Sequence, residues 1–156
     1  MFNLKCRFMK EVIDEVHITK TFAVAKAELY NAWIEEAQLK QWWQPMNKSL
    51  LSVESDIQEG GRISYQFEND LAITGQYKEV QPEGKLVYSW NWTLPHDASH
   101  DGEYLLTILF RGDDAHSELE VRQEDFKNIQ AVKPHHEGWE KALEDLKQYL
   151  EAKNKD

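Results

Sequence analysis

Residues 75–92 read GQYKEVQPEGKLVYSWNW, and this stretch decides what kind of fold the chain can adopt. Leu86, Tyr88, Trp90 and Trp92 alternate with Val87, Ser89 and Asn91, the period-two pattern of a strand with one buried face. Upstream, AITGQYKEV (72–80) continues as a strand. The QPEG between them (81–84) is a turn signal, so the pair reads as an antiparallel hairpin.

The same period extends outward. RISYQFE (62–68) puts Ile63, Tyr65 and Phe67 on one face, and ENDL (68–71) supplies its turn. Downstream, EYLLTILFR (103–111) and SELEVRQEDF (117–126) flank a turn at Gly112-Asp113-Asp114. Val16–Phe22 is rich in β-branched and aromatic residues and reads as a strand. Lys26–Glu36 carries Leu29, Tyr30, Trp33 and Ile34 at helical spacing, and Ala37–Trp43 reads as a second short helix stopped by Pro45. Pro134–Lys153 is a long helix of roughly 30 Å. Its Trp139, Leu143, Leu146 and Leu150 fall in one narrow stripe with Ala142 beside it. The order is one strand, two helices, about six hairpin-linked strands, then a helix, which is α+β with an antiparallel sheet. A curved sheet and a striped helix bury both apolar faces by packing together, and a gap between them is a natural cavity.

Composition narrows the function classes. The 156 residues fit one domain. A formal charge of −10 argues against nucleic acid and anionic membrane surfaces. No apolar run approaches the roughly 20 residues needed to span a bilayer. The single cysteine, Cys6, cannot form an internal disulfide and fits a reducing cytoplasm. Residues 1–14 read as a peripheral N-terminal extension and 15–156 as the domain. Within the extension Phe2, Leu4, Cys6 and Phe8 alternate as in a short strand, and Met9 is an alternative start.

Four segments together resemble a known family: ITKTFAVAKAELYNAWIEEAQLKQWWQP (18–45), GGRISYQF (60–67), GQYKEVQPEGKLVYSWNW (75–92) and GWEKALEDLKQYL (138–150). They look like the START-like (SRPBCC) helix-grip superfamily, and within it the domain named after activators of the ninety-kilodalton heat-shock chaperone's ATPase. The resemblance covers about residues 15–152. It implies a helix-grip fold, in which a curved antiparallel sheet of about seven strands wraps the C-terminal helix and two short helices follow the first strand. Ala25 departs from the family pattern, which often has proline there.

The expected function is a cytoplasmic binding protein, monomeric or homodimeric, holding a small hydrophobic or aromatic molecule between sheet and helix. Trp42, Trp43, Tyr65, Phe67, Tyr77, Tyr88, Trp90, Trp92 and Trp139 are the candidate aromatic walls, although ordinary core packing produces the same pattern. Adjacent indoles such as Trp42 and Trp43 cannot both face the core from one helix, so one of them is expected at the cavity entrance or on the surface. Gln123, an inward polar exception on its strand, and His135 and His136 are candidate polar contacts. A chaperone partner is the alternative reading, and a cavity-based cyclase or hydrolase a third, with His136 and Glu140 as its best acid–base pair. No catalytic residue, cofactor or metal is expected. His135, His136 and Glu137 diverge around the helix, and HDASHD (96–101) reads as a solvated turn. Gly138, inside the helix, either leaves room for a ligand or sits where its cost of about 1 kcal/mol is small.

Overall fold

The hairpin read at 75–92 is the middle of the sheet. The structure, a computed structural model, describes residues 14–95 and 100–153. The proposed extension (apart from its last residue), the alternating residues around Cys6 and most of HDASHD therefore lie outside the described residues.

Among the described residues seven strands form one antiparallel sheet: β1 (Val16–Phe22), β2 (Leu50–Ser55), β3 (Arg62–Phe67), β4 (Ala72–Gln81), β5 (Lys85–Thr93), β6 (His100–Gly112) and β7 (Ser117–Glu124). Their spatial order is β1-β7-β6-β5-β4-β3-β2. Consecutive strands from β2 to β7 are neighbours, as short hairpin connections dictate. Only β1 is displaced, pairing with β7 in the register Val16↔Gln123 to Phe22↔Ser117. The helices are α1 (Lys26–Ile34), α2 (Glu36–Trp42) and α3 (Val132–Lys153).

Alternation sets the core. Ile63, Tyr65 and Phe67 of β3, Leu86, Tyr88 and Trp90 of β5, and Leu106, Ile108 and Phe110 of β6 are buried. They meet the stripe Trp139, Leu143, Leu146 and Leu150 of α3 in one hydrophobic cluster. Each fully buried leucine there contributes about 1.5–3 kcal/mol relative to exposure. The helix starts two residues before Pro134, which sits in the first turn, where a missing N–H costs nothing. Helix α1 has no side-chain cap at Ala25. Its Lys26 N–H donates instead to the Asp113 carbonyl of the β6–β7 turn at 2.9 Å.

The adjacent indoles of WWQP would conflict on one helix, and the chain avoids this by ending the helix between them. Trp42 is the last residue of α2 and donates its Nε1–H to the Ala32 carbonyl at 2.9 Å. Trp43 has left the helix (φ −104°, ψ 108°) and stacks on Trp90 with centroids 5.9 Å apart. Both are buried. The expectation that one would lie at an entrance or on the surface therefore gives way to two inward rings. A break at Glu35 (φ −85°, ψ 126°) separates α1 from α2.

Candidate functional site

Aromatic packing fills the space between the centre of the sheet and α3. Trp139 stacks on Trp33 (5.9 Å, 13°) and tilts against Trp90 (6.0 Å). Tyr88 meets Trp90 edge-on and accepts a hydrogen bond from Trp33 Nε1 at 3.1 Å. Burial raises the hydroxyl pKa of Tyr65 and Tyr88 well above the usual value and pushes that of Tyr77 up to about 12. These phenols stay protonated and serve the packing of the core rather than carrying protons.

Open space lies at one end of the grip. A cleft of about 410 Å3 runs between the first half of α3 and the segment Trp43–Asn47 that follows α2. Trp92, Leu94 and Asp101 contribute from the sheet side; Pro134, His135, Gly138, Trp139 and Ala142 contribute from the helix. A Cβ added at Gly138 would meet nothing within 4 Å. The glycine therefore is not required by a close backbone approach; it leaves the cleft wall open. At the opposite lip Met46 and Asn47 both hold left-handed backbone (φ 54° and 61°), and the Met46 side chain is exposed.

Of the sequence candidates, Trp43, Trp92, His135 and Trp139 line this cleft. Trp42, Tyr65, Phe67, Tyr77, Tyr88 and Trp90 are buried in the core beneath it. Gln123 is fully buried behind the cleft wall. His136 lies apart on α3, half-exposed and 3.5 Å from the more exposed Glu140, so that pair does not face the cleft. Among the described residues no three His, Cys, Asp or Glu side chains converge as a metal site.

One residue that sequence reasoning missed is Asp101. Strand β6 sends Tyr104, Leu106, Ile108 and Phe110 inward, so uninterrupted alternation would turn Asp101 outward. The pairing of β5 with β6 passes from Trp90↔Tyr104 to Trp92↔Asp101, two residues on one strand against three on the other. That extra residue is a β-bulge, which re-aims the neighbouring side chains of its strand. Glu103 takes φ 65° there, and its N–H donates to Asn91 Oδ1 at 2.6 Å. Asp101 thus stands beside Trp92 on the inner face. The Asp-Gly at 101–102, directly before a strong strand pattern, was the available signal.

A polar chain links Asp101 to the core. Trp139 Nε1–H donates to Gln123 Oε1 at 2.8 Å. Gln123 Nε2 lies 3.4 Å from His135 Nδ1, and His135 Nε2 lies 2.7 Å from Asp101 Oδ2. The Tyr104 hydroxyl donates to Asp101 Oδ1. Burial first, then the bond to Asp101 and its charge, raise the Tyr104 hydroxyl pKa, so it stays protonated as a donor. Trp92 and His135 meet edge to face at 6.0 Å.

Comparison with known proteins places this geometry in a family. None of the curated proteins compared with it matches in sequence. Solved structures do match in fold. Protein CV1439 from Chromobacterium violaceum superposes with a TM-score of 0.72 at 20% identity, over 85% of this chain and 94% of that one. The AHSA1 protein from Silicibacter pomeroyi gives 0.72 at 20%, over 89% and 99%. DynU16, from the dynemicin biosynthetic locus, gives 0.71 at 16%, over 89% of this chain. The present chain spans only 48% of DynU16. The family model described as "Activator of Hsp90 ATPase homolog 1-like protein" matches residues 23–151. With that match running from the end of β1 almost to the end of α3, the chain belongs to the Activator of Hsp90 ATPase homolog 1-like family, on a START-like helix-grip fold.

Proposed function

We infer that the protein binds a small apolar or aromatic molecule in the cleft between α3 and Trp43–Asn47. The observation that carries this is the cleft itself: about 410 Å3, with Trp43, Trp92, Trp139, Leu94 and Ala142 giving it a mostly apolar wall. That volume and lining suit one small ligand. Burying a flat hydrocarbon body there gains about 25 cal/mol per Å2 of apolar surface. We place the protein in the cytoplasm on its cysteine usage; among the described residues no helix is long and apolar enough to cross a membrane.

The test is a fluorescence titration with the neutral apolar probe N-phenyl-1-naphthylamine. Saturation at one probe per chain is expected in the wild type. Gly138→Leu puts a branched side chain into the open wall, where a Cβ meets nothing. It is expected to weaken probe binding at least about tenfold, since leucine fills space the ligand needs. The fold should be kept, because leaving glycine restores up to about 1 kcal/mol of helix propensity. An unchanged titration in this variant would remove the cleft from consideration.

Stimulation of the ninety-kilodalton chaperone's ATPase, the second reading, is supported by the family description alone. A cognate ATPase assay with unaltered turnover dismisses it.

A further inference from the structure

The polar end of the cleft has a fixed direction of proton donation. An indole N–H can only donate. Trp139 therefore holds Gln123 with its carbonyl oxygen toward the indole and its amide N–H toward His135 Nδ1. Nδ1 must accept, which leaves the ring proton on Nε2, directed at Asp101 Oδ2 at 2.7 Å. The Tyr104 hydroxyl is directed at the other carboxylate oxygen. The relay runs from the buried indole out to the cleft and ends on one acceptor, Asp101, which takes both the His135 Nε2–H and the Tyr104 hydroxyl.

A carboxylate offers about four lone-pair sites, and the described residues use two of them. The Asp101 side chain keeps 33% of its surface exposed, against 12% for His135, and it lines the cleft. What the polar end offers a ligand is a buttressed, acceptor-only carboxylate, since both ring nitrogens of the neighbouring His135 are turned to Gln123 and Asp101. The bulge that aims it inward holds a non-glycine residue at positive φ, a strain of the kind kept at functional positions. The other charged groups of the cleft, Lys141 and Asp145, pair with each other at 2.7 Å. The net charge of −10 draws cations and repels anions.

Building on the apolar-ligand reading, we propose that the cleft selects organic cations: a flat apolar body carrying a protonated amine that seats on Asp101. The indoles of Trp43, Trp92 and Trp139 take the body. The ammonium N–H groups supply the donors that the carboxylate lacks. A charge-assisted bond of this kind is the strong class of hydrogen bond.

The experiment displaces N-phenyl-1-naphthylamine from the full chain with three ligands of one shape: 1-naphthylmethylamine, 1-naphthylmethanol and 1-naphthoate. The amine is expected to bind about tenfold or more tightly than the alcohol, and the anion most weakly. Asp101→Asn should bring the amine-to-alcohol ratio to about one. Glu137→Gln, an equal charge change on the exposed side of α3, should leave the ratio in place. Equal displacement by amine and alcohol in the wild type overturns the proposal while the apolar site stands; this comparison does not depend on how Asp101→Asn folds. A ratio that falls equally in both variants assigns the preference to the surface field and overturns the role of Asp101. Failure of the probe itself to bind removes the apolar site, and the proposal with it.

Discussion

Replacing Trp139 with alanine is expected to lower stability by about 4 kcal/mol, in the range seen for large aromatic-to-alanine changes in cores. The ring lies between Trp33 and Trp90, so truncation leaves a cavity under the first half of α3 that neither indole can fill without losing its own contacts. It also strips Gln123, a fully buried amide, of the donor on its carbonyl oxygen. An orphaned buried acceptor adds roughly 1–3 kcal/mol. Trp139→Phe separates the two effects, because it keeps a ring and loses the N–H. About half the alanine penalty is expected there. Denaturant melts of the three proteins check this; a loss below about 1 kcal/mol in the alanine variant would mean that Trp139 is not the keystone of the grip.

The second large effect is expected at Gly75, on the strand that first revealed the sheet. A Cβ there would fall 1.9 Å from the Ser89 carbonyl oxygen and 3.0 Å from its carbon. These are backbone atoms, so no rotamer change relieves the contact. Gly75 and Gln76 fall between the paired positions Thr74↔Asn91 and Tyr77↔Tyr88, and Gln76 N–H donates to Ser89 Oγ at 2.9 Å. Gly75→Ala must push β4 and β5 apart at this point, and about 3 kcal/mol of destabilisation is expected. Thermal melting that moves by less than about 2 °C would show that the strands have room to part.

The elements were legible because their hydrophobic periods are unbroken. Ile63–Phe67, Leu86–Trp90 and the stripe of α3 each repeat one period long enough to fix both element and buried face, and the observed burial follows it, while Val16–Phe22 is legible from its β-branched and aromatic content. Local chemistry that interrupts a period was less legible. The helix end between Trp42 and Trp43 lets two adjacent indoles face inward, which a continuous wheel forbids. The bulge at Glu103 reverses the facing of Asp101, so an acid assigned to a solvated turn stands on the cleft. His135 leans toward the sheet by its place on the wheel and reaches Asp101. His136 leans the same way on the wheel, on the other side of Trp139, yet it stays half in solvent and off the cleft. Sequence pattern alone also could not separate wall from core among the aromatics. Tyr88 and Trp92 alternate identically in β5, yet one lies under Trp33 and the other at the cleft.

The central claim is that the open end of the grip is the binding site, and amide chemical-shift mapping of the uniformly 15N-labelled chain tests it most directly. On addition of N-phenyl-1-naphthylamine, shifts are expected to concentrate on residues 43–47, 92–94, 101 and 134–142, with the outer-face residues Arg62, Thr74 and Gln76 unmoved. Perturbations centred on the outer face of the sheet, or spread without a focus over the surface, would contradict it.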